Sequence, residues 1–155
     1  MKKILLALAL IATISFSGCI DVSNFLRKEG RYEWITVVDA EDDFKWVDII
    51  NPEIAKNVSM PIIVKEKTKY LHITVSVNFS NPLSSDVQLF SQGSLNLFIL
   101  TPSEEINKNY TTTAKSRSYE EYFYFADPLP GEWDIILKLI GYGKYRIFVE
   151  AYQQV

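Results

Sequence analysis

Lys69-Tyr-Leu-His-Ile-Thr-Val-Ser-Val-Asn-Phe79 alternates without a break, with Leu71, Ile73, Val75, Val77 and Phe79 on one parity and His72, Thr74, Ser76 and Asn78 on the other. Successive side chains of an extended chain point to opposite faces, so this stretch reads as a strand with one buried face. The same period continues downstream. Ser94 to Leu100 sets Leu95, Leu97 and Ile99 on one face before Thr101-Pro102-Ser103 turns the chain, proline lacking the donor a strand would need. Tyr119 to Ala126 is an aromatic strand that Asp127-Pro128-Leu129-Pro130-Gly131 breaks. Glu132 to Ile140 then alternates again, with Trp133, Ile135, Leu137 and Leu139 inward. Gly141-Tyr142-Gly143 makes a tight reversal, since glycine accepts positive φ at little cost. Lys144 to Tyr152 completes the hairpin with Tyr145, Ile147 and Val149 inward.

Upstream of Lys69, the segments Tyr32 to Asp39, Phe44 to Ile50 and Ile54 to Lys65 carry weaker strand signals, interrupted by Pro52 and Pro61. Roughly six to nine strands separated by turn signals, with no amphipathic helix among them, predict an all-β antiparallel sandwich over residues 31–155.

The amino terminus has a different character. Lys2 and Lys3 precede an apolar run from Ile4 to Ile14, and Ser15 to Gly18 lead into Cys19, the layout of a secretory signal. A helix needs about 20 apolar residues to cross a bilayer core, so this short run reads as a leader and not as a permanent span. Phe16-Ser17-Gly18-Cys19 resembles the lipobox of prokaryotic lipoprotein signals, with Phe16 where an aliphatic residue is usual. That resemblance implies a signal peptide over residues 1–18 and lipid, palmitate included, on Cys19. Cys19 is the only cysteine, and lipidation gives a lone cysteine in an exported chain its reason. Two or more acyl chains anchor durably where one is marginal. The expected location is the cell membrane, facing the extracytoplasmic side.

Loss of the leader removes two of the 16 basic residues and none of the 19 acidic ones, leaving a formal net charge of −5. This balance argues against nucleic acid as a partner and against electrostatic adhesion to anionic lipid, so membrane attachment rests on the lipid. Residues 19–30 read as the lipidated cysteine and a tether. As a flexible coil, Ile20 to Gly30 would span roughly 17 to 20 Å.

Gly93-Ser-Leu-Asn-Leu-Phe-Ile-Leu-Thr-Pro-Ser103, Tyr122-Phe-Tyr-Phe-Ala126, Pro130-Gly-Glu-Trp133 and Tyr145-Arg-Ile-Phe-Val149 together resemble the pre-peptidase C-terminal domain of bacteria and archaea. The resemblance covers roughly Lys69 to Tyr152 and implies a jelly-roll-like sandwich of the kind appended to secreted proteins. The family's usual Asp-Leu-Asp strand stands here as Ser94-Leu95-Asn96, so no role of those acids carries over.

Catalysis finds few reagents. His72, the only histidine, falls on the polar parity of its strand, and with Cys19 committed to lipid no Cys/His pair or multi-histidine zinc site can be built. No nucleophile elbow, phosphate loop or dinucleotide fingerprint is present. Glu120 and Glu121 are adjacent on a strand and so point to opposite faces. The chain therefore reads as a non-enzyme that needs no cofactor.

Three features suit binding. Asp39, Glu41, Asp42 and Asp43 could supply oxygens to calcium or form a solvated loop after the first strand, their spacing lacking the EF-hand pattern. Tyr122 and Tyr124 share one face of their strand, opposite Phe123 and Phe125; facing outward, they would offer a patch for an extracytoplasmic protein or glycan. Asn57-Val-Ser59, Asn78-Phe-Ser80 and Asn109-Tyr-Thr111 match the glycosylation sequon. The sequence thus describes a membrane-anchored binding module, with an accessory subunit of a transporter or surface-layer assembly as the rival and a hydrolase behind both.

Substituting Cys19→Ala removes the acceptor thiol, so metabolic lipid labelling should vanish and unprocessed precursor should accumulate. A normally processed, lipid-labelled mutant in the membrane fraction would contradict the anchor.

Overall fold

The computed structural model describes residues 30–45, 56–80, 93–113 and 115–155, and Tyr32–Val155 forms a compact unit. The leader, Cys19, nearly all of the tether and most of the strand expected over Phe44 to Ile50 lie outside the described residues.

Eight strands follow in chain order: β1 (Tyr32–Phe44), β2 (Lys56–Val64), β3 (Thr68–Phe79), β4 (Ser94–Leu100), β5 (Glu105–Thr111), β6 (Ser118–Ala126), β7 (Gly131–Ile140) and β8 (Gly143–Gln154). They form two four-stranded antiparallel sheets, β1-β8-β3-β6 and β2-β7-β4-β5. This is the eight-strand order of a jelly roll, in which every consecutive pair of strands except β4–β5 is divided between two facing sheets.

Every side chain expected inward on β3, β4, β7 and β8 is buried, from Leu71 to Phe79, Leu95 to Ile99, Trp133 to Leu139 and Tyr145 to Val149. They form one apolar cluster with Val58, Ile62, Val64 and Phe123, and Phe125 packs against it edge-on to Trp133 with ring centroids 4.9 Å apart. The Trp133 indole N–H donates to the Leu129 carbonyl at 3.0 Å, so its one polar atom is satisfied inside the core.

Three features depart from the sequence expectations. First, β1 continues to Phe44, so the acidic residues 39–43 lie on a strand and not in a loop. A bulge between Thr36 and Val38 inserts Val37 and shifts the parity. Tyr32, Trp34 and Thr36 share the outer face with Asp39, Glu41 and Asp43, while Asp42 points to the inner side. Second, β5 is a strand that the pattern did not announce. It is a sheet edge with only Ile106 and Tyr110 packed against the core. Third, Pro61 does not interrupt β2, because β2 is also an edge and its outward side needs no donor at that position.

The turns obey steric limits. A Cβ on Gly143 would stand 2.0 Å from the Asn78 carbonyl oxygen, so the β7–β8 reversal requires glycine there.

Because the indole fills the space between the sheets, Trp133→Ala should destabilise the fold by about 3 to 5 kcal/mol. Denaturant unfolding of the purified chain, followed by circular dichroism, measures this. An unchanged midpoint would mean that the core closes without the ring.

Candidate functional site

The outer face of the β1-β8-β3-β6 sheet carries an aromatic file across its strands. Pairing sets Trp34 opposite Tyr152 and Tyr152 opposite Tyr70. Ring centroids lie 5.4 Å apart for Trp34–Tyr152, 5.9 Å for Tyr152–Tyr70 and 5.5 Å for Tyr70–Tyr124. Tyr32 joins the file beside Tyr152 at 5.6 Å, with the Lys69 ammonium 4.3 Å from its ring centre.

Alternation on β6 turns Tyr122 and Tyr124 outward and buries Phe123. Both tyrosines are about three-fifths exposed, at 60% and 61%. Tyr122 lies against the His72 ring at 6.2 Å, and His72 Nδ1 is 3.3 Å from the Glu150 carboxylate across the strand pair. A hydrogen bond to Glu120 and partial loss of hydration both raise the Tyr122 phenol above its ordinary range. The Tyr124 phenol is raised by lost hydration and by nearby Tyr70 and Asp127.

Past Tyr122 the face becomes polar. Thr74, Ser76, Glu120, Arg146 and Phe148 line a depression of about 260 Å³. Arg146 is held by a two-pronged pair with Asp39, its Nε donating to Oδ1 at 2.8 Å and its Nη2 to Oδ2 at 2.9 Å. Glu41 adds to the negative field around the guanidinium.

The four acidic residues of β1 are not gathered into one oxygen cage. Strand alternation sends Asp42 to the opposite side, where Lys56 of β2 donates to it at 2.8 Å, and Asp43 lies 3.6 Å from Lys144. Among the described residues no group of three or more His, Cys, Asp or Glu is placed to hold a metal ion. Glu120 and Glu121 diverge as their adjacency on β6 requires. Glu121 instead accepts from the Tyr119 hydroxyl at 2.5 Å and meets the Lys108 ammonium at 3.0 Å. Burial, then the Glu121 carboxylate, push the Tyr119 phenol well above the usual range.

The sequence singled out Tyr122 and Tyr124 but missed their companions Trp34, Tyr70 and Tyr152. Each belongs to a different strand, and only the cross-strand register brings them into line. The sequon residues Asn57, Asn78 and Asn109 are all exposed.

No family model matches the chain, and no curated protein matches it. Solved structures similar to it include a CBM4 protein at 15% identity and a TM-score of 0.40, covering 86% of this chain and 83% of that one. The P-domain of Macrobrachium rosenbergii nodavirus is similar at 16% identity and a TM-score of 0.35, covering 79% and 93%. The enzymatically active domain of a bacteriophage CBA120 tailspike protein reaches 10% identity and a TM-score of 0.37, over 81% of this chain and 19% of that one.

Hydrogen bonds from Arg146 hold the Asp39 carboxyl below its ordinary range, opposed by a smaller loss of hydration. The pair therefore adds stability above the ordinary carboxylate pKa and loses it as pH falls through the lowered value. Both groups are half-exposed, so the contribution is small. A carboxyl titration followed by NMR should place Asp39 below the ordinary midpoint, and Arg146→Gln should move it back up. A midpoint that ignores the substitution would show that the pair exerts no field in solution.

Proposed function

We propose that the chain is an extracytoplasmic lipoprotein, held at the membrane through Cys19, whose sandwich binds a glycan on the outer face of the β1-β8-β3-β6 sheet. The observation that carries this reading is the pair of exposed rings, Tyr122 and Tyr124, on the same face as the polar depression, with Tyr122 opposite its lining residue Thr74. Phenol rings offer apolar faces to the C–H surfaces of sugars, and their hydroxyls bond sugar hydroxyls. Thr74, Ser76, Glu120 and Arg146 add donors and acceptors within the same depression.

Charge narrows the ligand. Arg146 is already matched by Asp39, and Glu120, Glu150 and Asp127 surround the rings, so an anionic glycan would meet like charge. An uncharged glycan meets no such penalty. The role is one of binding, with no catalytic constellation assigned to the face.

The mature lipidated chain in detergent, presented to a glycan array, should bind neutral glycans in preference to anionic ones. The substitution Tyr122→Ala/Tyr124→Ala should weaken that binding by about tenfold or more, because aromatic anchors dominate such contacts. If the native chain binds no glycan and instead co-purifies with a fixed protein neighbour, the accessory-subunit reading replaces this one.

A further inference from the structure

Five segments meet at one end of the sandwich: the start of β1, the β2–β3 turn, the β4–β5 turn, the β6–β7 turn and the end of β8. Register places them there. Tyr32 pairs with Gln154, Thr68 with Gln153, Tyr70 with Ala126, Val64 with Gly131 and Leu100 with Glu105. This pole is also where apolar surface is left in water. Trp34, Ile63, Tyr124, Leu129 and Val155 are exposed there, and the other large exposed apolar side chains, Val37 and Tyr122, lie mid-strand. Among the described residues none stands at the opposite pole, where the β7–β8 reversal lies.

The chain supplies the occupant. β1 begins at Tyr32, so the segment from Cys19 enters the sandwich at this same pole. Ile20 to Gly30, taken as a coil, spans roughly 17 to 20 Å on average, so a lipid on Cys19 keeps the pole close to the headgroups. Trp and Tyr favour that zone because their rings are apolar and their edges are wet. We infer that the aromatic pole formed by Tyr32, Trp34, Tyr152 and Leu129 docks on the lipid surface of the bilayer that carries the anchor.

This inference rests on the lipoprotein reading but not on the glycan one. Tyr122 lies opposite Thr74, four residues along β3 from Tyr70 and so about 13 Å from the docked end, which leaves the polar depression clear of the bilayer. Electrostatics plays little part. Lys65, Lys67 and Lys69 are exposed at the pole, but so are Glu66, Glu104, Glu105, Asp127 and Glu132. Docking should therefore need no anionic lipid and should survive high salt.

The test uses the mature lipidated chain reconstituted into phosphatidylcholine vesicles, with and without bromine on the lipid near the headgroup. Bromine quenches indole on contact; Trp133 is buried in the core, and Trp46, which lies outside the described residues, is replaced by Phe in every sample. Brominated vesicles should dim the tryptophan emission, and Trp34→Phe, which keeps an aromatic ring at an exposed site, should abolish the dimming. Full emission from a chain that stays with the vesicles would overturn the docked pole and leave the Cys19 anchor standing. Dimming that persists in Trp34→Phe would place another tryptophan at the lipid and equally overturn it. A chain that does not stay with the vesicles would remove the lipoprotein reading, and this inference with it.

Discussion

The apolar contact between the inner rows of β3 and β8 and those of β4 and β7 fixes everything else in the sandwich. Ile73, Val75, Val77, Ile147 and Val149 on one side meet Leu95, Leu97, Ile99, Ile135 and Leu137 on the other, all sealed from solvent. Each such side chain is worth about 1.5 to 3 kcal/mol of burial. A slip of one residue in any of the four strands would turn its whole apolar row to water. The outer face inherits its order from that constraint. Tyr70, His72, Thr74 and Ser76 point outward because Leu71, Ile73, Val75 and Val77 cannot.

Closing the two sides of the sandwich falls to charge. Asp42 of β1 meets Lys56 of β2 along one seam, and Glu121 of β6 meets Lys108 of β5 along the other. These four residues lie on edge strands, and their side chains turn toward the facing sheet. Inward charge on an edge strand discourages pairing with another chain, so the seams keep the sandwich from extending its sheets as well as holding them together. The Val37 bulge makes the first seam possible. Were Val37 instead to take a regular place in the ladder, Asp42 would share the outer face with Trp34, and Lys56 would have no carboxylate across the gap.

The core was legible in the sequence wherever both faces of a strand had a clear character. Leu71 to Phe79 and Trp133 to Leu139 alternate so strictly that their burial follows from parity alone. β5 was not legible, because Glu105-Ile-Asn-Lys-Asn-Tyr-Thr111 puts Lys108 on its inner parity, which breaks the apolar alternation at the point where the ion pair forms. β1 was read short for a related reason. Its acidic stretch resembles a loop until Arg146, Lys144 and Lys56 are brought beside it by strands more than a dozen residues away. The outward tyrosines of β6 could be named from alternation, but the aromatic file could not, since Trp34, Tyr70, Tyr124 and Tyr152 are neighbours only through pairing.

The surface divides into regions that differ in what they can exclude. Near the pole, rings pack against rings, which suits a partner that is broad and unspecific, as a lipid interface is. Beyond Tyr122, hydroxyl, carboxylate and guanidinium groups stand at fixed positions set by the β3–β6 and β3–β8 registers, which suits a ligand with its own pattern of donors and acceptors. The sequon positions follow the same division. Asn57 and Asn109 lie on the other sheet, and Asn78 lies at the far end of β3, so a bulky group on any of them would stand away from the aromatic pole. Asn78 pairs with Lys144, next to the row that holds Ser76 and Arg146, so of the three positions only this one borders the polar depression.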